Sequence, residues 1–126
     1  MSKFLIQPFA GLRPKPDYAQ VVAAPPYDVL TTEEARLLAK NRPWSFLHIS
    51  KPDIDLPPDS DSYAKEVYVK GAENMTRMLE RGILTRDDTP SYYIYRIKVG
   101  KHCQTGVVGA GSIEAYENNI IRRHEL

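Results

Sequence analysis

Hydrophobic residues recur at helical spacing in two stretches of this chain. In "TTEEARLLAKN" the apolar side chains fall on one face, and Thr31 and Glu34 have the spacing of a capping box. A longer stretch, residues 62–81, repeats the three-to-four period, and Gly82 is placed to cap its end. The pattern therefore predicts two main helices, at about residues 32–41 and 62–81.

The C-terminal third changes to the two-residue period that is typical of a β-strand. In "SYYIYRIKV" tyrosine and aliphatic residues alternate with Arg96 and Lys98, and Gly100-Lys101 is suited to a tight turn. The segment "CQTGVVGAGSI" follows as a second strand. The pattern predicts a C-terminal β-hairpin at about residues 91–99 and 103–113.

Shorter apolar runs at residues 4–6, 21–24 and 44–50 predict additional strands, and the last of them is expected to be buried. Strands and helices then alternate along the chain before the hairpin. We therefore expect residues 1–126 to form a single α/β or α+β domain with a mixed sheet.

Composition narrows the class of protein. Hydrophobic residues make up 42% of the chain and charged residues 26%, as in soluble globular domains. The net charge is only +1, whereas a protein that binds nucleic acid through its phosphates is usually more basic, so nucleic acid is not the expected partner. The single cysteine, Cys103, excludes an internal disulfide and fits a reducing compartment. No stretch has the pattern of a signal peptide or a membrane span, and we expect a cytoplasmic protein.

The stretch "VVAAPPYDVL" contains the first candidate site, which we call the proline corner (residues 25–28). Pro25 and Pro26 hold the backbone extended, so Tyr27 and Asp28 would be presented at a defined angle to a polar ligand. An equally good interpretation is that Asp28 helps to start the following helix while Tyr27 packs on the core.

The stretch "IIRRHEL" contains the second candidate site. Arg122 and Arg123 have the forked donors that suit a phosphate or carboxylate, and His124 and Glu125 can accept or pass a proton. The alternative is a charged tail that is simply solvated.

Other polar residues carry weaker signals. His48 lies inside a predicted strand and is more typical of a satisfied structural residue than of a ligand-binding one. Asp53 and Asp55 could bind a cation, but carboxylates in a proline-rich loop are more typical of solvated turn formers. No spacing of histidine and cysteine residues predicts a metal site. The glycines at 106 and 109 do not follow the order of a dinucleotide-binding loop and predict close packing or a bulge instead.

Several motifs in order resemble the N-terminal part of one family. They are "PFAGLRP", "VVAAPPYDVL", "TTEEARLLAKNRPWSFLHISKPDIDLPP" and "TGVVGAGSIEAYENNIIRRHEL". Together they are similar to the family called domain of unknown function 1015. The resemblance covers essentially the whole chain; one local departure is Trp44, where a smaller residue is expected. Members are longer, so the resemblance implies that this chain is an N-terminal fragment or a separately encoded half.

The resemblance also implies a direction for function. A later segment of the family carries an Asp-Gly-His-His-Arg motif similar to one in ParB and sulfiredoxin-like proteins, a group that includes kinases of free serine. That motif is absent here. The resemblance selects residues 25–28, 45–48 and 122–125 as site candidates in a phosphate- or nucleotide-handling, kinase-like enzyme. Such an enzyme would use ATP or ADP with Mg in its full-length form, and this chain alone would be inactive.

In that hypothesis Arg122 and Arg123 hold an anionic group, His124 or Glu125 accepts a proton, and the proline corner orients the substrate. The missing C-terminal region would be a partner of the domain. The competing hypothesis is a non-catalytic interaction module whose exposed sheet edge or proline loops contact a partner or a second copy. The oligomeric state is left open.

Overall fold

The computed structural model describes residues 4–122 and 124. These divide into two compact units. The first unit comprises the described residues up to Gly11 together with those from Arg86 onward, and the second unit is Leu12–Thr85.

The second unit contains most of the helices. Its helices are α1 (Ala19–Val22), α2 (Thr32–Ala39), α3 (Leu47–Ser50) and α4 (Lys65–Glu80). It also contains three short 3-10 helices, at Pro16–Tyr18, which precedes α1, and at Tyr27–Val29 and Pro52–Asp55, which lie between α-helices. The strands β2 (Leu12–Pro14) and β3 (Leu84–Arg86) pair with each other. The first unit contains β1 (Ile6–Gln7), β4 (Tyr93–Val99), β5 (His102–Val108), β6 (Ala110–Gly111) and α5 (Ile113–Glu117).

The two main predicted helices are present as α2 and α4. The capping box of α2 is complete, because the Glu34 amide donates to Thr31 Oγ1 at 3.1 Å and the Thr31 amide donates to Glu34 Oε2 at 3.2 Å. Helix α4 ends at Gly82, whose φ of +69° lies in the left-handed region that favours glycine.

The buried face of α4 is narrower than its apolar pattern. It is formed by Val67, Asn74 and Met78, whereas Tyr68 and Leu79 are exposed. A helix covered on one side buries only a narrow stripe, so apolar residues at the margin of the pattern stay in solvent.

The hydrophobic core of the second unit has two clusters. One contains Val22, Met78, Ile83 and Leu84, with Trp44 and Ile49 packed against it. The other contains Ala35, Ala39, Leu47 and Ile54, with Ala24 and Leu30 packed against it. Segments far apart in sequence therefore meet in each cluster, and these contacts position the site described below.

Two predicted strands are wrong: the runs 21–24 and 44–50 contain the helical turns α1 and α3. In the first run only Val22 is buried, and its carbonyl accepts a hydrogen bond from the Phe46 amide at 2.8 Å. In the second run the amides of Ser50 and Lys51 donate to the carbonyls four residues earlier, those of Phe46 and Leu47, at 2.9 Å each, which is the hydrogen bonding of an α-helix. A short apolar run fits a buried strand and a buried helical turn equally well, and here tertiary contacts select the turn.

The strands of the described residues form three separate two-stranded pairs instead of one mixed sheet. The predicted hairpin is present as β4 and β5, antiparallel, with Tyr93 opposite Val108 and Val99 opposite His102. Its second arm stops at Val108, because Ala110–Gly111 pairs with β1 instead. The class of the fold, a small mixed α/β arrangement, is confirmed.

Tyr93 ties the base of the hairpin to the N-terminal segment of the first unit. Its hydroxyl donates to Asp87 Oδ2 at 2.5 Å and accepts from the Gly11 amide at 2.7 Å, while its ring packs 5.2 Å from that of Phe9. No helix in the described part of the chain is both long and apolar enough to cross a membrane.

Candidate ligand-binding site

His48 is held in a network within the second unit. Its Nδ1 lies 2.7 Å from Asp55 Oδ2, and its Nε2 lies 3.0 Å from the Arg42 carbonyl oxygen. The Asn74 amide group from α4 donates to the same Asp55 oxygen at 2.9 Å and to the His48 carbonyl at 2.7 Å. The network therefore joins α3, α4 and the 3-10 helix Pro52–Asp55.

Both ring nitrogens of His48 face acceptors, which sets the charge of the ring. A backbone carbonyl can only accept, so Nε2 carries a proton, and an ionised Asp55 requires a second proton on Nδ1. The hydrogen bond to Asp55 raises the pKa of His48 above its ordinary 6.5, although burial opposes this. Burial would raise the pKa of Asp55, but the hydrogen bonds from His48 and Asn74 outweigh it and lower this pKa. With both nitrogens occupied, the arrangement favours the structural interpretation of His48.

Asp53, on the same 3-10 helix, also accepts hydrogen bonds from other segments. Its Oδ2 accepts hydrogen bonds from the Thr32 hydroxyl at 2.9 Å and the Ser62 hydroxyl at 3.2 Å. Asp53 is buried, and the Arg36 guanidinium donates to the neighbouring Ile54 carbonyl at 3.2 Å. The expectation that Asp53 and Asp55 are solvated turn formers is therefore wrong, because each carboxylate binds donors from distant segments.

A groove of about 540 Å³ opens beside this 3-10 helix, and we call it the tyrosine groove. Ligand pockets commonly measure roughly 300–1,000 Å³. Three exposed tyrosines, Tyr27, Tyr63 and Tyr68, line it over an apolar floor. The floor is formed by Ile49, Pro52, Val67, Gly71, Ala72 and Met75.

The polar residues of the tyrosine groove are Ser50, Lys51, Asp53 and Ser62. In the part of the chain that the structure describes, Lys51 makes no ion pair, so its ammonium is available to an anion. Asp53 lies at the polar side of the same groove with its carboxylate held in place by two hydroxyl donors.

Gly71 allows the floor of the groove to form. A Cβ at this position would lie 3.2 Å from Pro52 Cγ, which is tighter than ordinary packing. The missing side chain lets α4 approach the 3-10 helix Pro52–Asp55 closely. A glycine that weakens the helix therefore serves the packing that positions the groove.

The proline corner is exposed on the surface of the second unit, and only part of it reaches the groove. Pro26 has φ −56° and ψ 140°, an extended backbone, and it precedes the 3-10 helix that carries Tyr27 and Asp28. Tyr27 is 56% exposed and lines the tyrosine groove, so it does not pack in the core. Pro25 and Asp28 are exposed and are not among the residues that line it.

His48 lines a different depression of about 370 Å³, together with residues of α2 such as Arg36 and Leu37. The structure therefore does not bring His48 and Tyr27 into one pocket. Arg122 and His124 belong to the first unit and are exposed, while Arg123 and Glu125 lie outside the described residues. The joining of this tail to the proline corner stays a prediction.

Asn74 and Lys51 escaped the sequence reasoning, which interpreted Asp53 as a solvated turn former. Asn74 carried a usable signal, because a single amide in the buried stripe between Val67 and Met78 needs polar partners. Lys51 and Asp53 carried none, since a loop rich in proline and aspartate looks the same whether its side chains are solvated or bound. In the described residues no group of three histidine, cysteine or carboxylate side chains could hold a metal ion.

Comparison with known proteins places the chain in a family. No curated protein and no solved structure matches the chain. Residues 6–126 match the profile of the family described as Protein of unknown function (DUF1015). Because this match covers nearly the whole chain, the protein belongs to the DUF1015 family.

Proposed function

We propose that the second unit binds a nucleotide or a related phosphorylated small molecule in the tyrosine groove. The observation that carries the proposal is an open groove with three tyrosines, an apolar floor and a lysine, Lys51, that makes no ion pair with the other described residues. In this proposal the chain is the ligand-binding part of a phosphate-handling enzyme.

The tyrosines support recognition of a planar base. Tyr27 comes from the stiff proline corner, whereas Tyr63 and Tyr68 come from the entry and first turns of α4. Stacking of a base on an aromatic ring contributes roughly 1–3 kcal/mol and tolerates different bases. Exposed tyrosines on two sides of one groove suit this mode of binding.

The polar residues support recognition of the rest of the ligand. Lys51 would bind a phosphate as a point charge. Asp53 is a fixed acceptor, already bonded to two hydroxyls, and would accept a hydrogen bond from a hydroxyl of the ligand. The groove therefore offers a donor region and an acceptor region beside an apolar floor.

The catalytic part of the proposal rests on residues 122–125. Arg122 and Arg123 would hold the transferred anionic group, with His124 or Glu125 as proton acceptor. We expect kinase-like chemistry with ATP or ADP and Mg only in a longer protein, and little or no activity from this chain. A cytoplasmic location is part of the same proposal.

Calorimetric titration of ATP, ADP, adenosine and serine into the chain tests the groove. We expect ATP and ADP to bind. Lys51→Gln should weaken ATP binding roughly tenfold through the lost phosphate contact while leaving adenosine unchanged. Tyr27→Ala should weaken both nucleotide and nucleoside, since it removes stacking surface.

Lys101→Gln is the matched control, because it removes the same charge from the exposed turn of the hairpin. It should leave all the titrations unchanged. Absence of nucleotide binding at millimolar concentration would refute the proposal, as would binding that neither groove variant affects.

A second candidate function, an interaction module, is favoured by the β4–β5 hairpin. Its apolar side chains stay exposed on both faces; examples are Ile94 at 68% and Val99 at 69%. Such a surface is uncommon unless it meets a partner.

A further inference from the structure

The β4–β5 hairpin has an unusual distribution of charge. Between Thr89 and Ile113 the chain contains Arg96, Lys98 and Lys101 and no aspartate or glutamate. The chain as a whole is nearly neutral at +1, so the hairpin is a local concentration of positive charge. A partner for this element is therefore expected to be acidic.

The register of the hairpin places the charged side chains of β4 on one face. Arg96 lies opposite Thr105 and Lys98 opposite Cys103, which places these polar residues on one face. Tyr95, Ile97 and Val99 lie on the other face, with exposures of 61%, 45% and 69%. One face thus carries both cations, with Ile94 and Val107 beside them, and the other face carries Tyr95, Ile97 and Val99.

The hairpin also has free backbone edges. Within the described residues β4 pairs with β5 alone, so the outer edge of each strand carries peptide groups that no strand pairs with. A two-stranded hairpin is marginally stable by itself, and an exposed edge readily accepts another strand. Opposite Tyr95 lies Gly106, around which nothing comes within 4 Å of where a Cβ would be.

We propose that the β4–β5 hairpin binds an acidic, extended protein segment as a third strand. Alternate side chains of such a strand point to opposite faces of the enlarged sheet. A segment that alternates acidic and apolar residues would place its carboxylates beside Arg96 and Lys98. Its apolar side chains would then cover the face of Tyr95, Ile97 and Val99.

The charge and the exposed face of the hairpin disfavour two other ligands, a second copy of the hairpin and a nucleic acid. A second copy of the hairpin would bring its own cations into the ladder, and like charges side by side destabilise a sheet. A nucleic acid would satisfy the cations but would leave most of the aliphatic face uncovered. The acidic segment would pair with the cations on one face, cover the apolar side chains on the other and form backbone hydrogen bonds with the free edge of the hairpin.

Fluorescence anisotropy tests the proposal with a short labelled peptide of alternating Glu and Val. A control peptide has the same composition with its Glu and Val residues in two blocks. We expect the alternating peptide to bind the chain, and the block peptide to bind at least roughly tenfold more weakly because it cannot match both faces. The double variant Arg96→Glu/Lys98→Glu should no longer bind the alternating Glu peptide and should instead bind a peptide of alternating Lys and Val.

Lys40→Glu/Arg81→Glu is the matched control, since it makes the same charge change at two exposed positions of the second unit. It should bind the alternating Glu peptide as the unmodified chain does. Amide shifts in NMR spectra should be confined to residues of β4 and β5. No peptide binding, equal binding of both peptides, displacement by single-stranded oligonucleotide or a concentration-dependent dimer would each overturn the proposal.

Discussion

At the scale of single residues, the most informative side chain is His48. Its two ring nitrogens are both committed to acceptors, and its partner Asp55 is shared with Asn74. The ring therefore acts as a charged clamp between the turn at Arg42 and the 3-10 helix that borders the tyrosine groove. Removal of one partner leaves the other charge poorly compensated.

This clamp predicts a dependence of stability on pH. The raised pKa of His48 makes its contribution fully present below 6.5 and lost as the pH rises through the folded-state value. The lowered pKa of Asp55 makes its contribution present above 3.8 and lost as the pH falls through the folded-state value. The pair should therefore stabilise the fold most in the mildly acidic range between these limits.

Urea denaturation of the chain and of Asp55→Asn across this range measures the effect. The variant should be less stable by roughly 1–3 kcal/mol at pH 6, with a smaller difference at pH 9. A difference in stability between the two proteins that does not change with pH would contradict the charged interaction between His48 and Asp55.

At the scale of elements, glycines decide how closely segments of the first unit approach. A Cβ on Gly109 would collide with Ile6 Cγ2 and lie 3.2 Å from the Gln7 carbonyl oxygen. The break between β5 and β6 therefore depends on glycine, because β6 must turn aside to pair with β1. The predicted close packing is confirmed at Gly109 but not at Gly106, which lies in open space.

Substitution of these two glycines separates packing from backbone effects. Gly109→Ala should lower the free energy of unfolding by roughly 1–3 kcal/mol through the forced shift of β1. Gly106→Ala should change it by less than about 0.5 kcal/mol, because its side chain enters solvent. Thermal or urea unfolding of both variants measures the contrast. Equal changes in the free energy of unfolding would show that Ile6 moves aside at little energetic cost.

At the scale of the whole molecule, the two units are stabilised very differently. Both hydrophobic clusters lie in the second unit, whereas the buried apolar residue of the described first unit is Ala115. The hairpin depends on its own ladder and on contacts at its base such as those of Tyr93. We infer that the second unit is the stable scaffold and that the hairpin opens more readily.

Native-state hydrogen exchange followed by NMR tests this inference. Amides in the buried turns of α4, near Asn74 and Met78, should exchange most slowly. Amides of β4 and β5 that pair within the hairpin should exchange at least roughly tenfold faster, since they open without exposing a core. Similar protection in both units would contradict it, and protection of the hairpin by the alternating Glu peptide would support its proposed role.

Local sequence signals determined the elements whose stabilising contacts lie close together in the chain. The capping box at Thr31, the glycine after α4 and the alternation in β4 each act over a few residues, so α2, α4 and the hairpin could be predicted. The motifs also placed the chain in its family. Each of these signals is complete within one segment.

Only the tertiary structure decided the character of the short segments and of the groove. The run 44–50 becomes a helical turn because the bond from His48 to the Arg42 carbonyl and the burial of Leu47 outweigh weak local preference. Asp53 acquires its role from Thr32 and Ser62, which lie 21 and 9 residues away. These hydrogen bonds join residues that meet only when the chain has folded. No local sequence pattern therefore predicts them.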